Sequence, residues 1–178
     1  LRIGDTAPGG NPWLGQMDDL RIYRRALTQS EVAALFTAPQ TQTFGGWRNA
    51  NLTPEQLANP ALNGPEHDAN GNGIANIVEF ATGRDMLPPL TVESLGTPGN
   101  VIAQITLTRN SAARGITLLV ETSTDLATWT PLATSVNGAT PTGPATITEG
   151  TGVVRTLTIQ TPANTGRHFY RASVVVLP

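Results

Sequence analysis

Apolar and polar positions change their rhythm twice along the chain. Over 15–23, Met17, Leu20 and Ile22 recur closely enough for a strand. A short helix is expected next. Thr28 and Glu31 stand at capping-box spacing, and Val32, Leu35 and Phe36 supply one apolar face. From 39 to 89 the pattern breaks into Asn, Pro and Gly. Thr53 and Gln56, with Pro54 at the first helical position, open a helix that Asn59-Pro60 stops. Another is expected over 76–82, carrying Ile77, Val78, Phe80 and Ala81, with Gly83 as its C-terminal cap. Beyond 90 the rhythm is that of strands, at 101–108, 115–122, 128–133, 145–147, 153–161 and 168–177. Gly, Asn, Pro and Thr turns separate them, as in a small antiparallel sandwich.

Composition narrows the function classes. The chain has 178 residues, 39% hydrophobic, so it can bury a core. Gly 18 and Pro 14 suit many short strands joined by turns. A formal net charge of -2, with the charges scattered, offers no basic stripe for nucleic acid or an anionic membrane. Lys is absent, which removes Schiff-base and P-loop chemistry, and Cys is absent, which removes disulfides, thiolate metal sites and a cysteine nucleophile. No apolar run approaches a membrane span. The opening Leu1-Arg2-Ile3-Gly4 reads as the middle of a strand, so a larger polypeptide is expected upstream.

The motif with chemistry in it is Asp68-Ala69-Asn70-Gly71-Asn72-Gly73-Ile74-Ala75-Asn76-Ile77-Val78-Glu79, which satisfies D-x-[DN]-x-[DN]-G-x5-E throughout. Ca2+ takes six to eight hard oxygen ligands, and one tight turn at this spacing delivers them. Asp68, Asn70 and Asn72 would give side-chain oxygens and Ile74 its carbonyl. Asn76 would bind directly or through water, and Glu79 would reach back with both oxygens. Gly73 would take the sharp turn. With two carboxylates in the loop, affinity should sit near the ~10⁻⁴ to 10⁻³ M of extracellular modules. Glu66 and Asp85 are further carboxylates nearby. Pro60 and Pro65 forbid a long entering helix, so a paired EF-hand sensor is not expected. The competing reading is an ion-free Asn-Gly turn pair followed by an Asn76 helix cap.

Three resemblances follow from particular residues. Gly15, Asp18, Arg21, Ile22, Tyr23, Arg25, Ala26, Leu27 and Glu31 resemble the ending of a laminin-G-like, concanavalin-A-type jelly roll, of which only the last strands and helix would be present. The loop, followed by Phe80, Gly83 and Asp85, is similar to dockerin-type and thrombospondin type 3-type calcium repeats. The pieces Glu121 to Trp129 and Phe169-Tyr170-Arg171 resemble a C-terminal β-sandwich of bacterial secreted and surface proteins. Together they imply a mainly β chain. A truncated jelly-roll end occupies 1–38, a calcium-loop linker with short helices 39–89, and an antiparallel β-sandwich 90–178.

Catalysis has little support. His67 and His168 are the two histidines, with no evident partner nucleophile, and Asp18-Asp19 would point to opposite faces of a strand. Trp129 is expected in the core, and Trp13 and Trp47 near turns, packing between modules or contacting sugar. The expected function is a non-catalytic, calcium-stabilised structural or adhesion region of a larger secreted or cell-surface bacterial protein. The alternatives are a carbohydrate-binding accessory module of an extracellular enzyme, recognising a surface glycan, and an assembly subunit pairing with another chain through the strands around Ile3 and Ile22.

Overall fold

The computed structural model describes residues 24–32, 41–83, 90–97, 100–163 and 166–178. Two compact units divide the chain, Leu1–Ala38 and Pro39–Pro178. The strand expected over 15–23, with Trp13, Asp18 and Asp19, lies outside the described residues.

In the first unit a helical turn covers 29–32. The Glu31 amide donates to Thr28 Oγ1 at 3.3 Å, and the Thr28 amide donates to Glu31 Oε2 at 2.9 Å. That is the reciprocal box its spacing predicts. Arg25 clamps the same carboxylate from Nη1 at 2.8 Å and Nη2 at 2.5 Å. Glu31 is held down to about 2, chiefly by Arg25 and then by Thr28.

The second unit is mainly β. Its strands are β1 (Gln42–Thr43), β2 (Leu90–Thr97), β3 (Asn100–Asn110), β4 (Ala113–Arg114), β5 (Ile116–Ser123), β6 (Thr130–Val136), β7 (Thr146–Glu149), β8 (Val154–Gln160) and β9 (Phe169–Val176). One sheet runs β2-β3-β8-β7 and the other β6-β5-β9, with every neighbour antiparallel. β1 and β4 make a short parallel pair. Alternation along each strand selects the inward side chains. Ile105, Leu107, Leu157 and Ile159 come from the four-stranded sheet, and Ile116, Leu118, Val120 and Leu132 from the three-stranded one. These form a single apolar core between the two sheets, the arrangement of a β-sandwich.

An ion cluster closes one end of that core. Arg109 occupies the inward position after Leu107 and is 1% exposed. Its guanidinium donates to Glu149, to Ser135 Oγ at 3.3 Å and to the Gly138 carbonyl at 3.0 Å. Arg155 also reaches Glu149, at 3.1 Å. Burial pushes the Glu149 carboxyl up, but the hydrogen bonds and charges of the two arginines outweigh it and leave it below the ordinary carboxylate value.

The segment expected as a linker is packed onto the sandwich instead. Helices α1 (Phe44–Asn51), α2 (Pro54–Ala58) and α3 (Asn76–Thr82) belong to this unit. Trp47, Ile77, Phe80 and Ala81 enter the same core as the strands. Phe80 is fully buried, with Phe44 edge-on at 5.9 Å and Trp47 at 6.3 Å. The apolar face of α3 is large enough to be drawn into the sandwich, so this segment does not stay a free polar spacer.

Two tryptophans therefore change places relative to expectation. Trp47 is buried, stacked on Phe44 at 5.8 Å. Trp129 is half-buried on the outer face of the three-stranded sheet, with the Arg171 guanidinium 4.1 Å above its ring. The reason is local: Trp129 precedes β6, whereas Trp47 lies on the helix that faces Phe80.

Candidate metal centre

The loop from Asp68 to Glu79 joins α2 to α3, and its small residues let it turn. Gly71 and Gly73 have φ of 75° and 86°, the left-handed region that glycine adopts at no steric cost. The chain folds around the Asp68 carboxylate. Its Oδ1 accepts the amides of Gly71 at 2.8 Å and Asn72 at 3.2 Å, and Oδ2 accepts that of Gly73 at 2.7 Å. The Gly73 amide is the main cause that holds Asp68 below its ordinary value, against a partial burial that raises it.

Glu79 is the second pole. It lies in the first turn of α3, 5% exposed. Its Oε1 accepts from Asn70 Nδ2 at 2.9 Å and from Asn72 Nδ2 at 2.7 Å. Asn70 Oδ1 in turn accepts the Asn72 amide at 3.1 Å, and Asn72 Oδ1 accepts the Ile74 amide at 2.8 Å. Four of the six expected ligand residues, Asp68, Asn70, Asn72 and Glu79, are thus linked into one polar network. Ile74 is 4% exposed at the inner edge of the loop.

Asn76 has a separate task. Its side chain is fully buried, with Oδ1 accepting the Ala69 amide at 3.2 Å. Its Nδ2 donates to the carbonyls of Leu62 at 2.7 Å and Gly64 at 2.8 Å. It ties both ends of the loop to the segment before it. Gln56 adds a brace from α2, donating to the Ala69 carbonyl at 2.6 Å. The capping box that places Gln56 was legible, but its second bond to the loop was not, because only the tertiary fold brings α2 beside Ala69.

Among the other candidates, His67 accepts the Gly64 amide at Nδ1, 3.1 Å away. His168 stacks on Tyr170 at 6.4 Å, with Thr122 Oγ1 3.4 Å from its Nδ1. Glu66 is exposed, and Asp85 lies outside the described residues. No group of three or more His, Cys, Asp or Glu suited to a metal occurs among the described residues. From the described residues, an ion here would draw on amide and carbonyl oxygens beside the two carboxylates. Hard, oxygen-only donors of that kind fit calcium and do not fit zinc.

The fold places the second unit among mainly β, antiparallel sandwich proteins. At the amino end, residues 1–33 match the family model of the concanavalin A-like lectin/glucanases superfamily, of the laminin G type. That match covers 33 of the 178 residues and leaves the loop and the sandwich beyond it. No curated protein matches the chain, and no solved structure does. No helix among the described residues is long and apolar enough to cross a membrane.

Proposed function

We propose that this chain is a non-catalytic, calcium-stabilised structural or adhesion region of a larger secreted or cell-surface protein. The observation that carries the reading is the convergence of Asn70 and Asn72 on Glu79, in a loop that opens on an Asp68 carboxylate wrapped in backbone amides. A plain turn has no need to gather two side chains on one buried carboxylate. Calcium supplies charge compensation for Asp68 and Glu79 and accepts the neutral oxygens between them.

The same geometry explains why binding should be weak. To offer oxygen toward Glu79, Asn70 and Asn72 must turn about χ2, a soft torsion, exchanging NH2 for C=O with little movement of heavy atoms. That turn gives up their bonds to the Asn72 and Ile74 amides. Ion binding thus replaces existing hydrogen bonds and is expected near the ~10⁻⁴ to 10⁻³ M range. The ion acts as a clip on a preformed loop, with Asn76 and Gln56 bracing it from outside.

Similarity to lectin-like modules at residues 1–33 supports an exported setting, where millimolar calcium makes such a clip useful. The histidine surroundings favour a packing role, with His67 accepting the Gly64 amide and His168 stacked on Tyr170. Thermal unfolding in millimolar calcium and then in chelator tests the reading. The expected result is a higher midpoint with calcium; an identical midpoint in both would sink it.

A further inference from the structure

A second feature adjoins the loop. A cleft of about 500 Å³ opens between α1, α2, the Asn70 and Glu79 side of the loop, and the residues entering β8. This volume lies within the range of small-molecule sites. Its wall chemistry is unusual for this protein. Glu79 is the one charged residue lining it, and the other polar lining side chains are the primary amides of Gln42, Asn51, Gln56, Asn70 and Asn110. Trp47, Leu52, Val153 and Val154 supply the apolar surface.

The orientation of two amides is fixed by backbone partners. Asn110 Oδ1 accepts the Ala112 amide, so its Nδ2 donates to the Phe80 carbonyl and to Gln42 Oε1. That leaves Gln42 Nε2 as a donor without a partner among the described residues. Asn51 Nδ2 donates to the Trp47 carbonyl at 2.8 Å, which leaves its Oδ1 as an acceptor. One unspent donor and one unspent acceptor border the same cleft, with a buried carboxylate as a further acceptor.

We propose that this cleft binds a neutral saccharide unit. A hydroxyl both donates and accepts, matching the pair formed by Gln42 and Asn51. The C–H faces of a sugar ring match Leu52, Val153 and Val154, of which both valines are about half exposed. Anionic ligands are disfavoured, because the sole charge in the wall is the Glu79 carboxylate. The proposal does not rest on calcium: the amides and apolar walls are the chain's own, and an ion held by Asp68 and Glu79 would only steady one side.

The test uses the intact 178-residue chain on an array of neutral, sialylated and sulfated oligosaccharides, each run with calcium and with chelator, alongside thermal midpoints. Titration of the best neutral binder into Asn51→Ala and Val153→Arg follows, the second chosen to fill the mouth from an exposed position. Expected are binding to neutral glycans, loss of at least tenfold affinity in both variants, and unchanged midpoints. Binding that persists in chelator, with no calcium effect on the midpoint, would retain the cleft and remove the calcium reading. No neutral glycan bound by the folded chain, preference for anionic glycans, or binding indifferent to both substitutions would overturn the proposal.

Discussion

At the scale of single residues, the loop separates the side chains of its inner polar network from those that brace it. Asp68, Asn70, Asn72 and Glu79 were legible as a set because contacts within one turn are governed by spacing. The bracing by Asn76 was not, since its partners Leu62 and Gly64 lie in a stretch without regular pattern. Asn76→Ala would take the side-chain partner from the half-buried Leu62 carbonyl and Ala69 amide and leave the Gly64 carbonyl with only the His67 amide, at roughly 1–3 kcal/mol per orphaned group where water cannot reach. Urea unfolding should show that loss equally with calcium and with chelator. A loss confined to calcium would instead make Asn76 a ligand. Asp68 carries a matching pH dependence. Its folded-state value is depressed, so its stabilisation is full above the ordinary aspartate range and fades as pH falls through the folded value. Any calcium-dependent rise in midpoint should shrink over that same acidic window, in melts recorded from neutral pH downward.

Elements were legible where a local signal fixed them. Both capping boxes form, Thr28 with Glu31 and Thr53 with Gln56, and α3 spans the expected 76–82 with Gly83 as its left-handed cap. All six expected strands occur, with ends shifted by a few residues. β2 was missed because nearly all of it is exposed on both faces, so its sequence carries no inward alternation. α1 was missed because Gly45 and Gly46 depress helix propensity; Thr43 caps it through the Gly46 amide at 3.1 Å. Gly83 offers a sharp test at this scale. Its φ is 66°, and an added Cβ would lie 2.6 Å from Val154 Cγ2. Gly83→Ala should cost about 1–2 kcal/mol from the left-handed backbone alone, read as a lower urea midpoint. No loss would mean the α3 terminus is not held against β8.

For the second unit as a whole, helices and sandwich share one core. Phe80→Ala should therefore destabilise the strands as well as the loop, by about 3–5 kcal/mol. Loop and strand amides should lose hydrogen-exchange protection together; loss confined to the loop would contradict the shared core. Arg109 and Glu149 make a second whole-unit prediction. Removing one member of a buried pair strands the other, so Glu149→Gln should cost about 3–5 kcal/mol at neutral pH. Because the Glu149 value is depressed, the wild-type chain keeps this contribution above the ordinary carboxylate range and loses it as pH falls through the folded value. The variant and wild-type midpoints should then converge in acid. A constant gap across the range would show that proton binding at Glu149 is not coupled to folding.

The central claim is that the loop holds one calcium ion, and calorimetric titration of calcium into the chain tests it most directly. One ion per chain is expected, with a dissociation constant in the ~10⁻⁴ to 10⁻³ M range and no binding heat left after Glu79→Gln or Asp68→Asn. Heat no larger than dilution in the unaltered chain, or a titration that both substitutions leave unchanged, would contradict it.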